Sequence, residues 1–93
     1  MPDYWGIEIN SDLVNFLDLH FLHIDDVEEL IEKHLNDNFL AKNKYLAFIH
    51  GFGTGKLKAK VHGILKDHPL VQEYWLAQYG ANAGGVTYVI LNI

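Results

Sequence analysis

The chain has 93 residues, 49% of them hydrophobic and 20% charged, with a net charge of −5 and no cysteine. That is one domain with a folded core rather than a disordered tract, too short for a second domain or a repeat array, and it excludes disulfide staples, thiolate zinc sites and a thiol nucleophile. No apolar run approaches the roughly 18 residues of a membrane span, and no basic segment followed by an apolar stretch opens the chain, so a cytoplasmic setting is expected.

In chain order, residues 1–13 read as an N-terminal arm, with Tyr4, Trp5, Ile7 and Ile9 available to pack on a core or on a neighbour, and residues 14–93 as the domain itself. Val14 to His20 alternates apolar and polar residues, a strand signal. A helix runs from Asp25 to about Ala41, with Val27, Leu30, Ile31, Leu35 and Phe39 at helical spacing. Acids in its first turns suit the positive end of the helix dipole. Tyr45 to Ile49 is short and continuously apolar, as in a strand buried on both faces. A glycine-rich turn, His50-Gly51-Phe52-Gly53-Thr54-Gly55, follows. Thr54 is the expected N-cap of a second helix carrying Leu57, Val61, Ile64 and Leu65 inward, which His68-Pro69 ends. Val71 to Ala77 and Val86 to Leu91 are strands, joined through a turn over Gly80 to Gly85.

The fold class is therefore α/β, more narrowly an α+β two-layer sandwich: β-α-β-α-β-β, a four-stranded mixed sheet with two helices on one face. Crossover units imply parallel pairing, and the last two strands are expected to be antiparallel neighbours. Function is expected on the open face of the sheet and at the C-terminal ends of the strands.

Charge is unevenly spread. Residues 1–37 carry −9, residues 38–66 carry +6 from Lys42, Lys44, Lys56, Lys58, Lys60 and Lys66 with no acid, and residues 67–93 carry −2. The middle segment makes a local positive field. With no arginine in the chain, bidentate phosphate recognition is absent and each lysine acts as a point charge.

Two constellations can carry chemistry. On a strand, Asp18 and His20 project to one side while Leu17 and Leu19 anchor the other, and a carboxylate beside an imidazole fixes its tautomer and stabilises the imidazolium. Gly51, Gly53, Thr54 and Gly55, between a strand and a helix, expose backbone N–H groups suited to phosphate, with Lys56 and Lys58 beyond. A P-loop fails because His50 and Leu57 stand where glycine and Ser or Thr are needed; a dinucleotide fingerprint fails at Lys56. In a parallel β-α-β unit His20 and His50 both fall at strand C-terminal ends. Two imidazoles, one carboxylate and an anion cup are the parts for phosphodiester cleavage, with Asp18, His20 and His50 as catalytic candidates. No metal ligands are assigned. Carboxylates are too few for a two-metal site, so the cofactor is unknown: none is required, and at most one divalent cation is weakly bound. This tilts the chemistry toward RNA, which carries its own 2′-OH nucleophile. His23, His34, His62 and His68 read as structural.

Leu17-Asp18-Leu19-His20 followed by His50-Gly51-Phe52-Gly53-Thr54-Gly55 resembles the Smr (small MutS-related) domain, a family marked by an LDLHG-type and an HGxGxG-type motif. Leu57-Lys58, His68-Pro69-Leu70-Val71 and Gly84-Gly85-Val86-Thr87 extend the similarity over about residues 14–92. The resemblance implies a four-stranded sheet with two helices, endonucleolytic nicking or cleavage of DNA or RNA, and a domain that either stands alone or is fused to or acts with a MutS-like protein. It carries Asp18, His20, His50, Gly51, Gly53 and Gly55 over as motif residues, with Lys58 in the basic position. The family's glycine after the first histidine is Phe21 here.

The leading expectation is a nuclease domain whose partner is nucleic acid, DNA or RNA, and not a membrane. A non-catalytic nucleic-acid-binding module is the alternative. A protein-interaction domain working through Asp25, Asp26, Glu28, Glu29 and Glu32 is the third reading.

Overall fold

The computed structural model describes residues 14–93; the N-terminal arm expected over residues 1–13 lies outside them. The elements are β1 (Asn15–Asp18), α1 (Ile24–Leu40), β2 (Tyr45–Ile49), α2 (Lys56–Leu65), β3 (Val71–Leu76), a single 3-10 turn (Gly80–Asn82) and β4 (Val86–Leu91). This is the expected β-α-β-α-β-β order. Among the described residues no helix is long and apolar enough to cross a membrane.

The strand order is β1-β2-β4-β3. β1 and β2 pair in parallel, and β4 pairs antiparallel with both β2 and β3. The first crossover places its two strands side by side. The second does not, because β4 inserts between β2 and β3. The side chains explain this placement. β4 is Val-Thr-Tyr-Val-Ile-Leu and is buried at all six positions, as a central strand must be. β3 carries exposed Gln72 and Glu73, tolerable only at an edge.

Both helices lie on one face. Leu46 and Phe48 of β2 and Val89 and Leu91 of β4 pack against Val27, Ile31 and Leu35 of α1 and Val61 and Leu65 of α2. The period-two alternation sends Ala47, Val86, Tyr88 and Ile90 to the other face, where they form a second buried cluster with Val14 and Ala77. Trp75 stacks on Tyr88 there, and Phe16 meets the same ring edge-on. The helix-free face was expected to be open and functional. Its burial at these positions leaves the strand C-terminal ends as the place for a site.

The structural histidines find their partners. His23 caps α1, its Nδ1 accepting from Asp25 N at 3.3 Å. His34 Nε2 donates to Asn15 O at 3.1 Å, tying α1 to β1, and burial pushes its pKa down. His68 Nε2 lies 2.6 Å from Glu32 Oε1, joining the start of β3 to α1.

Candidate functional site

Parallel pairing brings the ends of β1 and β2 to the same edge. Asp18 lies in register with Ile49, and Leu19 N donates to Ile49 O at 2.8 Å. His20 and His50 therefore emerge at one end of the sheet. Leu19 is fully buried and holds that end down.

The first strand was expected to run to His20. It ends at Asp18, because the Asp18 carboxylate accepts from His20 N at 3.1 Å and so competes with the ladder for that amide. The same carboxylate oxygen, Oδ1, also meets His20 Nδ1. The pair thus forms through a local turn rather than through a shared strand face. Both bonds to His20 hold the Asp18 carboxyl below its ordinary value. An ionised carboxylate only accepts, so His20 Nδ1 carries the hydrogen and Nε2 is the ring atom left for a substrate.

Gly51 sits against this histidine. Its φ is +79°, and a Cβ built there would stand 3.2 Å from His20 Cβ. Conformation and close approach both demand glycine. Gly55 has φ +89° and is the residue that caps α2. Thr54 was expected in that role; it lies one residue earlier, and its hydroxyl accepts weakly from Lys56 N at 3.4 Å. Gly53 has open space around it and no left-handed φ, so neither reason applies there. α2 begins at Lys56, and its first intrahelical bond is Ala59 N to Gly55 O. Lys56, Leu57 and Lys58 thus present the positive end of the helix.

These parts enclose a cavity of about 340 Å³, inside the roughly 300–1,000 Å³ of small-ligand sites. His20, His50, Gly51, Gly53, Thr54, Gly55, Lys56 and Lys58 all line it, and Asp18 stands behind His20. Neither Lys56 nor Lys58 pairs with a carboxylate among the described residues, whereas Lys60 is held by Glu28 at 3.0 Å. Also among the described residues, no group of three or more His, Asp or Glu gathers as a metal site would require.

His50 differs from His20 in its surroundings. It is 4% exposed. Nδ1 lies 3.2 Å from Gly51 O and Nε2 lies 2.9 Å from Thr87 Oγ1. Its backbone N and that of Gly51 both donate to Gly85 O at 3.0 Å. Burial pushes its pKa down, against the Gly51 carbonyl, which favours the charged form; Lys58 adds to the lowering.

Sequence reasoning missed the residues behind His50. His62, taken as structural, places Nε2 2.7 Å from the same Thr87 hydroxyl, and its own pKa is lowered by burial, by His50 and by Lys58. The available signal was Thr87 on the inward-facing side of an otherwise apolar strand, where a buried hydroxyl requires partners. Phe52 was also passed over. Its ring lies on the Gly84-Gly85 backbone.

The Smr domain family model matches residues 17–92. Endonuclease MutS2 of Pelotomaculum thermopropionicum is 40% identical over 75 residues, covering 81% of this chain and 10% of that protein. Endonuclease MutS2 of Clostridium tetani is 42% identical over 60 residues, covering 64% and 8%. The crystal structure of the Smr domain of Thermus thermophilus MutS2 superposes with a TM-score of 0.81 at 25% identity, over 85% of this chain and 99% of that one. The chain spans about a tenth of the length of these curated relatives. On sequence and fold together, it belongs to the Smr domain family.

Proposed function

We propose that this Smr domain binds a phosphodiester in the cavity at the strand ends and cleaves it. The observation that carries the reading is the shared cavity. One oriented imidazole, a glycine turn at a helix N-terminus and two lysines without a carboxylate partner among the described residues line the same space. The endonuclease names of the MutS2 relatives support it.

In this reading the phosphate rests on the turn from Gly51 to Gly55 and the start of α2, with Lys56 and Lys58 offsetting the charge that builds on phosphorus. His20 Nε2 takes the proton of the attacking hydroxyl, and Asp18 stabilises the imidazolium that results. On RNA the attacking group is the neighbouring 2′-OH: its oxygen bonds to phosphorus, the bond to the 5′-oxygen breaks on the opposite side, and that oxygen takes a proton from water. On DNA it is a water, whose oxygen bonds to phosphorus as the bond to the 3′- or 5′-oxygen breaks and that oxygen takes a proton from solvent. His50 was expected to be the second acid–base group. With both of its ring nitrogens bonded inside the protein, we assign it the task of holding the Gly51 turn against His20. The cofactor is unknown: no step here is routed through one, and the reading allows at most one weakly bound divalent cation. Action in the cytoplasm, within or beside a MutS-like protein, belongs to the same proposal.

The test is cleavage of RNA, single-stranded DNA and supercoiled plasmid, with and without chelator. His20→Ala and Asp18→Asn are expected to abolish cutting. Unchanged cutting by both variants overturns the reading.

A second reading, a nucleic-acid-binding module without cleavage, is favoured by one feature. Phe21 stands where the family has glycine, and its ring lies against His20. That module binds in the same assays and cuts nothing. The acidic face of α1 is a weaker candidate for a partner, since Glu28 is held by Lys60 and Glu32 by His68.

A further inference from the structure

The site leaves two large aromatic rings in water. Phe21 is 88% exposed and Phe52 is 72% exposed. Neither ring lines the cavity itself, but their chain neighbours do: Phe21 follows His20, and Phe52 lies between Gly51 and Gly53.

Neither ring is free of the protein. Phe21 lies against the His20 imidazole with centroids 3.7 Å apart and planes at 40°. Phe52 is seated on the β3–β4 turn, where a Cβ at Gly85 would stand 2.8 Å from Phe52 Cζ. Glycine at that position makes the seat possible. A ring backed by the protein and otherwise open to solvent offers a planar surface whose ordering cost is already met. That is what stacking a nucleobase requires.

The cavity carries a second sign. Leu22, Ile24 and Leu57 also line it. Apolar side chains do nothing for a phosphate, but they suit a sugar or a base. Charge complements them, since Lys56 and Lys58 are free of carboxylate partners among the described residues and flank the same space. A backbone crossing these lysines brings its bases to the rings only if those bases are unpaired, because in a duplex both faces of each base are covered by its neighbours.

We propose that Phe21 and Phe52 form a stacking platform for unpaired bases, so that the ligand of this site is single-stranded nucleic acid. This rests on the reading that the cavity takes nucleic acid, and it adds what kind.

The experiment is fluorescence anisotropy in chelator, on a thermal-melt-verified domain. The probes are short oligo-dT, oligo-U, an abasic strand with the same number of phosphates, and a blunt duplex. Base-bearing strands are expected to bind on the order of 5- to 100-fold more tightly than the abasic strand, the range set by one stacked base. Phe21→Ala and Phe52→Ala each narrow that gap and leave abasic and duplex binding unchanged. Phe21→Trp and Phe52→Trp restore it. Equal affinity for base-bearing and abasic strands overturns the proposal. So do alanine variants that bind like the parent chain, or that lose duplex binding to the same extent. A domain that stacks bases yet cuts nothing defeats the nuclease reading alone; one that cuts but ignores bases defeats this proposal alone.

Discussion

His50 and His62 hang on one hydroxyl. Thr87 Oγ1 lies 2.9 Å from His50 Nε2 and 2.7 Å from His62 Nε2. The hydrogens along this chain have a fixed order. A carbonyl only accepts, so His50 Nδ1 donates to Gly51 O. Neutral His50 then accepts at Nε2 from the Thr87 hydroxyl. Thr87 has only one hydrogen, so His62 Nε2 must donate to it.

Removing that hydroxyl leaves Nε2 of the buried His50 and Nε2 of the half-buried His62 without this partner. Thr87→Val keeps the shape and is expected to cost about 1–3 kcal/mol, the desolvation penalty of an unpaired buried polar group. Thr87→Ser keeps the hydroxyl and is expected to cost less. Urea midpoints at neutral pH measure both. Equal midpoints for the valine variant and the parent chain would show that the bridge contributes nothing.

The same chain sets a pH response. His50, His62 and His34 all have folded pKa values pushed below the ordinary value of about 6.5, in each case chiefly by burial. The unfolded state then binds more protons than the folded state over the interval between the two values, so stability rises with pH there. Their contribution is full above about 6.5 and is lost as pH falls through the folded values. Asp18, also lowered, contributes above 3.8 and loses its share only in stronger acid. Urea midpoints are expected to be flat from pH 8 to about 7 and to drop toward pH 5. His62→Gln, which keeps an N–H donor but does not titrate, is expected to reduce the drop.

The three glycines of the turn are not equivalent. Gly51→Ala meets both a left-handed φ and His20 Cβ at 3.2 Å. It is expected to cost roughly 1–2 kcal/mol from the φ alone and to lower activity further by moving His20. Gly53→Ala meets neither obstacle and is expected to fall within about 0.5 kcal/mol of the parent chain. Thermal melts and cleavage rates on the two variants check the contrast. A harmless Gly51→Ala would remove the argument that backbone closeness positions His20.

Much of this was legible in the chain because its signals are local. Alternating and apolar runs marked the strands, glycine and proline marked the turns, and Asp18, His20 and the glycine turn announced themselves by spacing. What escaped depends on contacts distant in sequence. Nothing near His62 indicates that Thr87, 25 residues on, will meet it. The insertion of β4 between β2 and β3 was readable in principle, since β4 is apolar on both faces and β3 is not, but only by comparing strands with one another. The shortening of β1 was a local effect overlooked: an aspartate two residues before a backbone amide is a ready acceptor for it.

The lysines divide by geometry, and salt dependence can show the division. Lys56 and Lys58 line the cavity without a carboxylate partner among the described residues; Lys60, on the same helix, is held by Glu28 across to α1. A lysine that neutralises a phosphate releases a counterion, adding about 0.7 to the slope of log K against log salt for a single strand. Lys56→Ala and Lys58→Ala are each expected to flatten that slope by about this amount and to weaken binding at low salt, whatever the base sequence. Lys60→Ala is expected to leave the slope unchanged, because its charge is already spoken for on the protein. Titrations of an oligonucleotide across a salt series measure all three. If Lys60 proves equivalent to the other two, the positive field of α2 acts as a diffuse patch, and the cavity at its N-terminus has no special claim on the phosphate.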